Sequence, residues 1–245
     1  MNWIRFTKNS IVKDMMLKKG ILICFIGIDG SGKSTHAISI ANSLIRDGVR
    51  CKYVWTRWFP IILKPLVVLI KTLLFNRNIS KKDYVKYKSA KRGYLRKNLA
   101  KIWQNMVLSD YFLQVLIKIK LPLALGNVVV CDRYLYDTLV DLAVDSNYSK
   151  DELKDMLKPH VMLLFPKPDT VFLLDVPEKV AFKRKSDVPA LTYLIDRRKL
   201  YLALAEEYPS IEVLNNSGDF DKTNCKIQDE VCRMLKSKLV KRQEK

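Results

Sequence analysis

Apolar residues along the chain form short continuous runs and longer stretches with helical spacing. The runs at 21–26 and 127–131 are typical of strands buried on both faces of a parallel sheet, and residues 51–56 predict a further strand. Helical spacing predicts a helix over about 98–120. The helix after the first strand has one predicted apolar face, formed by Ile38, Ala41, Leu44 and Ile45. Strands alternating with helices predict an α/β fold.

The composition is that of a globular protein. A chain of 245 residues with 49% apolar content fits one large domain or two small ones. Its five cysteines show no C-x-x-C spacing, so we expect core residues in a reducing cytoplasm, and two histidines argue against a zinc site. Residues 1–19 lack the features of a signal peptide, so we expect a poorly ordered leader, with Met15 and Met16 as alternative translation starts.

Positive charge is concentrated in one segment. The net charge is +19, and residues 57–101 contribute +12 of it, from thirteen basic residues and the single acid Asp83. The same segment begins with the nearly all-apolar stretch 60–75, which needs cover from its own domain, from a second subunit in a homodimer, or from a membrane surface. Contact with nucleic acid or an anionic membrane through 57–101 is one interpretation, and a solvated basic surface is the other.

A phosphate-binding motif follows the first predicted strand. Residues 27–34 read G-x-x-x-x-G-K-S. Its glycines allow consecutive backbone N–H groups to surround an anion, and the following helix adds its positive N-terminal end. Lys33 would supply a point charge for the outer phosphates, and the Ser34 hydroxyl can ligate Mg²⁺.

Charged residues also follow the second and third predicted strands. Asp132 and Arg133 come directly after the run 127–131, and Arg57 follows 51–56. An acid at the end of a buried strand beside a phosphate loop is the arrangement that holds Mg²⁺. Because ligands bind beyond the carboxyl ends of strands in open α/β sheets, Arg57 and Arg133 are candidates for contacting phosphate.

These motifs together resemble those of thymidylate kinases. The resemblance rests on F-x-G-x-D-G-x-G-K-S-T at 25–35, Thr-Arg at 56–57, Asp-Arg-Tyr at 132–134, and the run 167–184. It continues in Arg197 and Tyr201 and in 215–217. The resemblance implies a three-layer P-loop kinase fold, with a five-stranded parallel sheet of order 2-3-1-4-5 flanked by helices. It implies a single domain over 20–245, with a basic helical insertion at 58–100 and a short lid at 183–190.

The resemblance also implies a role for individual residues, with ATP and Mg²⁺ bound together with a nucleoside monophosphate. The implied catalytic residues are Lys33, Asp132, Arg133 and the lid cation Arg184, and the implied metal ligands are Ser34 and Asp132. The implied ATP contacts are Gly27, Asp29, Gly30, Ser31, Gly32, Lys33, Ser34, Thr35 and Asn216. The implied acceptor contacts are Asp29, Arg57 and Arg133, and Tyr134 and Asp137, which follow on the same segment, are further candidates for contacting the acceptor.

The chain departs from the family pattern where the acceptor base would be recognised. Residues 137–142 stand in place of the usual Ser/Thr and Ala-Tyr-Gln-like run, and Ile26 stands where Glu is frequent. Three functions therefore stay open. The first is phosphorylation of a nucleoside monophosphate, with dTMP as the leading acceptor. The second keeps the fold but changes the acceptor to another phosphorylated molecule or a nucleic-acid end. The third is a nucleotide-dependent membrane-surface adaptor without catalysis.

Overall fold

A five-stranded parallel sheet forms the centre of the protein. The computed structural model describes residues 20–65, 67–69, 97–157 and 159–243. The strands are β1 Ile21–Ile26, β2 Cys51–Trp55, β3 Val128–Asp132, β4 Thr170–Asp175 and β5 Ile211–Asn215. Their order is β2-β3-β1-β4-β5 and every pairing is parallel, which confirms the predicted topology.

Helices connect the strands and cover both faces of the sheet. They are α1 Lys33–Arg46, α2 Lys97–Val115, α3 Leu121–Ala124, α4 Leu135–Ser146, α5 Lys150–Met156, α6 Pro159–Leu164, α7 Glu178–Arg184, α8 Leu191–Glu207 and α9 Phe220–Gln243. A π-helical turn, Leu116–Lys120, joins α2 to α3. The helix predicted over 98–120 is therefore confirmed, but its last turn is widened.

The three-layer arrangement follows from the two faces of the strands. Even-numbered residues of β1 pack with α2, α4 and α8 in one core, and odd-numbered residues of β1 pack with α1 and α9 in the other. Since β1 is completely buried, it carries apolar residues at every position, as a central parallel strand requires. The α/β three-layer fold expected from the sequence is confirmed.

The predicted apolar face of α1 is wrong for two of its four residues. Ala41 and Leu44 are buried, but Ile38 and Ile45 are 44% and 52% exposed. Lys33, the first residue of α1, turns its side chain inward to the phosphate loop. The buried face of α1 follows from it at helical spacing and consists of Ala37, Ile40, Ala41 and Leu44.

The expectation for the cysteines also needs a correction. Cys24 and Cys131 are buried in the sheet, but Cys225 is exposed on α9. The first two occupy strand positions with both faces covered, whereas Cys225 lies on the outer face of an amphipathic helix.

Only part of the predicted insertion falls among the described residues. The leader at 1–19 and residues 70–96 lie outside them. The segment directly after β2 is attached to α2 by Asp110, which accepts hydrogen bonds from Trp58 Nε1 at 3.0 Å and from the backbone N–H groups of Ile61 and Ile62 at 3.1 and 2.8 Å. No helix in the described ranges has both the length and the apolar character needed to cross a bilayer.

Strand register brings the functional motifs to one edge of the sheet. Phe25 of β1 pairs with Asp132 of β3, and Asp132 pairs with Trp55 of β2. The phosphate loop, the acid after β3 and the arginine after β2 therefore lie at the carboxyl ends of three adjacent strands.

Candidate active site

The phosphate loop is closely packed from both sides. Gly27, Gly30 and Gly32 have positive φ angles of 138°, 84° and 89°. A Cβ on Gly30 would overlap the carbonyl of Ala181 in α7, and one on Gly32 would lie 2.6 Å from Asn216 Nδ2. Glycine is required at Gly30 and Gly32 both by the backbone conformation and by the space available. The loop is thus held between α7 and the turn after β5.

The side chain of Lys33 lies inside the phosphate loop. Its Nζ donates to the carbonyl of Ile28 at 2.5 Å and to Ser31 Oγ at 3.4 Å, and the residue is 4% exposed. Burial, together with the positive charge of Arg133, lowers the pKa of Lys33 from 10.5 to about 7. A bound phosphate would place a negative charge beside this amine and would favour its protonated form.

Ser34 and Asp132 form a candidate site for a divalent cation. Ser34 Oγ donates to Asp132 Oδ2 at 2.5 Å, and the Tyr53 hydroxyl donates to the same oxygen at 3.0 Å. The other oxygen, Oδ1, is buried and has no hydrogen-bond partner within the part of the chain that the structure describes. A hydroxyl and a carboxylate oxygen are hard ligands that suit Mg²⁺. These residues therefore fit a magnesium ion, which would partner the orphaned oxygen.

Arg133 is held in an uncommon backbone conformation. Its φ angle is 70°, in the left-handed region. Its N–H donates to the carbonyl of Phe25 at 2.9 Å, and its own carbonyl accepts from Thr56 Oγ1 at 2.6 Å. The guanidinium contacts Asp29 and lies 3.6 Å from Asp137 Oδ1. Two strands thus fix the backbone of Arg133, and two carboxylates fix its side chain.

The two carboxylates beside Arg133 differ in their ionisation. Burial acts to raise the pKa of Asp29, but the charges of Arg133, Lys33 and Lys185 outweigh it and keep that pKa below its usual range. At Asp137 the effect of burial is larger than that of the neighbouring positive charges, and it raises the pKa from 3.8 to about 6. Asp29 therefore stays charged at neutral and mildly acidic pH. Asp137 instead takes up a proton as the pH falls through about 6.

Arg57 belongs to a cluster that joins β2, α4 and α8. It donates to Asp141 Oδ2 from Nε and Nη2 at 3.2 and 3.1 Å and to the Tyr193 hydroxyl at 3.3 Å. Arg197 donates to the other oxygen of Asp141 at 2.9 Å, and its guanidinium lies 3.7 Å from the centre of the Tyr193 ring. The Tyr193 hydroxyl in turn donates to Asp29 Oδ2 at 3.2 Å. Arg57 is thereby connected to the phosphate loop.

Arg184, the last residue of α7, and Lys185, which follows it, face different parts of the site. Arg184 donates to the carbonyls of Asn216 and Ser217 at 2.9 and 3.0 Å. Lys185 Nζ lies 3.5 Å from Asp29 Oδ1. Of these two lid residues, Lys185 is the one in contact with the acidic residue of the phosphate loop.

A cavity of about 420 Å³ brings together most of the predicted residues. Those that line it are Asp29, Gly30, Gly32, Lys33, Ser34, Thr35, Arg133, Arg184 and Asn216. Those that do not are Gly27, Ser31, Arg57, Asp132, Tyr134 and Asp137. Asp132 and Asp137 lie directly behind lining residues, since they contact Ser34 and Arg133. Tyr134 instead donates from its hydroxyl to the carbonyl of Pro166 at 2.7 Å.

Two aromatic lining residues were not predicted. The ring of His36 stacks on that of Phe220, with centroids 4.4 Å apart, and its nitrogens lie 3.1 and 3.3 Å from the side-chain oxygens of Asn216 and Asn224. Burial lowers the pKa of His36, which favours the neutral ring. The position of His36, directly after the loop motif, could have indicated that it lies at the site. No motif includes Phe220, so the sequence gives no such indication for it.

The fold and this site define a P-loop kinase. A glycine-rich loop with an inward-turned lysine follows the central strand β1. The neighbouring strand β3 ends in Asp132, which is hydrogen-bonded to Ser34 of the motif. The short helix α7 ends in basic residues beside the cavity. These parts occur together in enzymes that transfer phosphoryl groups.

Comparison with known proteins identifies the family. The family model described as thymidylate kinase matches residues 70–218, which is more than half of the chain and begins after the phosphate loop. A probable thymidylate kinase of Pyrococcus abyssi is 23% identical over 91% of this chain and 98% of its own length. The thymidylate kinase of Thermosipho melanesiensis is 24% identical over 88% and 99%. A probable thymidylate kinase of Thermococcus kodakarensis is 33% identical over 44% and 54%.

The chain belongs to the thymidylate kinase family, and it is a phosphotransferase. The membership of the thymidylate kinase family that the sequence motifs predicted is thereby confirmed. Family membership sets aside the hypothesis of a nucleotide-binding adaptor without catalysis.

Proposed function

We propose that the protein transfers the γ-phosphoryl group of ATP to a nucleoside monophosphate, with dTMP as the first acceptor to test. One observation carries the proposal: Lys33, Ser34 and Arg133 line a single cavity, and the acid Asp132 is bonded to Ser34 at its wall. The choice of dTMP comes from the relatives, which are named as thymidylate kinases.

The phosphate loop would hold the phosphates of ATP. Its backbone N–H groups and the start of α1 favour negative charge, and Lys33 would turn from the carbonyl of Ile28 to an outer phosphate oxygen. Ser34 and Asp132 would hold the magnesium ion, whose charge neutralises the phosphates when it is bound. Because phosphoryl transfer depends on positioning and charge neutralisation, no further nucleophile from the protein is required.

The acceptor would bind at the end of the cavity formed by Arg133. The guanidinium of Arg133 is prepared for a phosphate because Asp29 and Asp137 fix its position. Arg57 would approach the same phosphate from β2, and its link to Tyr193 and Asp29 keeps it near.

The lid would supply positive charge from Lys185 and contact ATP through Arg184. Lys185 already reaches the acid of the loop, whereas Arg184 is bonded to the backbone carbonyls after β5. We therefore expect Lys185→Ala to lower kcat and Arg184→Ala to raise the KM for ATP. Steady-state kinetics with each substrate varied would separate the two effects.

The experiment that tests the proposal is a coupled assay of ADP release with a panel of nucleoside monophosphates. We expect turnover with at least one of them, and a loss of kcat/KM of about 100-fold or more in Lys33→Ala and in Arg133→Ala. Lys154→Ala is the matched control, because Lys154 pairs with Glu207 at the surface, away from the cavity. If the folded wild-type protein turns over none of the panel, the proposal is refuted.

A second acceptor class is favoured by one observation. Asp137 and Asp141 occupy positions where the resemblance predicts neutral residues, and each lies against an arginine that would contact the acceptor. The side chains beside these arginines thus differ from the family pattern, and an acceptor other than dTMP is the second candidate. Mass spectrometry after incubation with ATP and a mixture of nucleotides and 5′-phosphorylated oligonucleotides would detect it. A mass increase of one phosphoryl group on an oligonucleotide alone would favour this alternative.

A further inference from the structure

Tyr53 connects the edge strand of the sheet to the candidate metal site. Tyr53 of β2 pairs in register with Val130 of β3, so Asp132 lies two residues further along and on the same face of the sheet. The side chain spans this offset, and its hydroxyl lies 3.0 Å from Asp132 Oδ2. The tyrosine hydroxyl is the donor and the carboxylate oxygen the acceptor. None of the sequence motifs includes this residue.

The hydrogen bond from Tyr53 differs in kind from the one that Ser34 makes. Both hydroxyls donate to Oδ2, one from α1 at 2.5 Å and one from β2 at 3.0 Å. The Ser34 hydroxyl is itself a candidate metal ligand, so its geometry depends on whether a metal is bound. Tyr53 Oη would remain a donor with or without the metal. It is thus the partner of Asp132 that can fix the carboxylate before the ion arrives.

The orientation of this carboxylate decides which oxygen is available to a cation. The last torsion of an aspartate is soft, so an unrestrained carboxylate rotates between its two oxygens. Two donors from different elements on Oδ2 restrain that torsion. They leave Oδ1 buried and without a partner among the described residues. With Oδ2 held in this way, Oδ1 is the oxygen of Asp132 that has no competing donor among the described residues.

We propose that Tyr53 is a positioning residue for magnesium: it holds Asp132 so that Oδ1 faces the ion bound with the nucleotide. The inference rests on the proposed function, because the ion is the one that accompanies ATP. Residues that hydrogen-bond to a metal ligand typically contribute about 10–100-fold to metal affinity or activity. The hydroxyl of Tyr53 would act in this way through Asp132, without touching the substrates itself.

The test compares nucleotide binding with and without metal in Tyr53→Phe, which removes only the hydroxyl. Isothermal titration calorimetry with AMP-PNP, once in EDTA and once in Mg²⁺, gives the factor by which the metal strengthens nucleotide binding. We expect this factor to fall by about tenfold in Tyr53→Phe, with the affinity in EDTA unchanged. The half-saturating Mg²⁺ concentration for turnover should rise by a similar factor, and kcat should recover at high Mg²⁺.

Tyr208→Phe is the matched control, since Tyr208 is half-buried at the end of α8 and makes no contact with Asp132. It should leave the metal factor unchanged, and both variants should remain folded, as cooperative thermal unfolding would show. An unchanged metal factor in Tyr53→Phe, or an equal loss of affinity in EDTA and in Mg²⁺, would overturn the inference. The absence of any effect of Mg²⁺ on wild-type binding would overturn it as well. Failure of the wild type to bind AMP-PNP at all would instead contradict the proposed function.

Discussion

Asp137 gives the protein a pH-dependent stability that one substitution should reveal. Its carboxyl group is fully buried behind Arg133, accepts from the backbone N–H of Tyr134 at 3.0 Å and accepts from the Tyr201 hydroxyl at 2.7 Å. Burial raises its pKa from 3.8 to about 6 in the folded state. The folded protein thus binds a proton that the unfolded chain does not bind between these two pH values.

The sign and size of the effect follow from linkage. Because the folded pKa is raised, the stabilising contribution of the proton is present at low pH and is lost as the pH rises through about 6. The whole shift of about two pH units corresponds to about 3 kcal/mol. Over the range from roughly pH 5 to pH 8, in which the fold is easier to study, the loss is about 1.4 kcal/mol. Asp137→Asn has no such proton to lose.

Urea unfolding of the wild type and of Asp137→Asn at several pH values would measure this loss. The difference in the free energy of unfolding, wild type minus variant, should fall by about 1.4 kcal/mol from pH 5 to pH 8 and level off above. Tyr201→Phe, which removes a donor to the ionised carboxylate, should move the fall to higher pH. Repeating the comparison in a Lys33→Met background removes the neighbouring amine whose pKa of about 7 lies in the same window. A difference that stays constant, or that grows with pH, would refute the reasoning.

Two further predictions concern the backbone of the site. Gly30→Ala places a Cβ against the carbonyl of Ala181 at a positive φ of 84°, so we expect the free energy of unfolding measured in urea to fall by about 2 kcal/mol or more. Gly218→Ala is the control: a Cβ there meets nothing within 4 Å and should change the free energy of unfolding by less than about 0.5 kcal/mol. Thr56→Val removes the 2.6 Å donor to the carbonyl of Arg133 and should lower the free energy of unfolding by about 1–2 kcal/mol and reduce kcat/KM. Equal stabilities of the two glycine variants, or full activity of Thr56→Val, would contradict these expectations.

The fold and the phosphate-binding half of the site could be predicted because local chemistry requires them. A strand buried on both faces must be apolar at each position, as 21–26 and 128–131 are. The loop after the first of these strands needs glycine where the backbone has positive φ and where no Cβ fits, at Gly30 and Gly32. Requirements of this kind act over a few consecutive residues, so they leave a motif with fixed spacing.

Contacts between distant parts of the chain left no such motif. Arg57 and Asp141 are 84 residues apart, and Asp29 and Arg133 are 104 apart. A sequence shows the charges but not which of them meet. The same limit applied to Tyr53, because its contact with Asp132 depends on strand register. It also applied to α1, whose buried face contains Ala37 and Ile40 and leaves the apolar residues Ile38 and Ile45 exposed.

This division also explains why the reaction class is clearer than the acceptor. In the proposed reaction both substrates carry phosphate. Phosphate is recognised by backbone amides, cations and a metal ion, and the geometry of the phosphate group fixes how these are spaced. In the proposed complex the rest of the acceptor would meet side chains from separate elements, namely α4, α8 and the segment after β2. In this chain those elements supply Asp137 and Asp141, and both carboxylates are already paired with arginines. The identity of the acceptor therefore depends on what these elements offer to its base and sugar, and that arrangement is brought together by the fold rather than by a local pattern of residues.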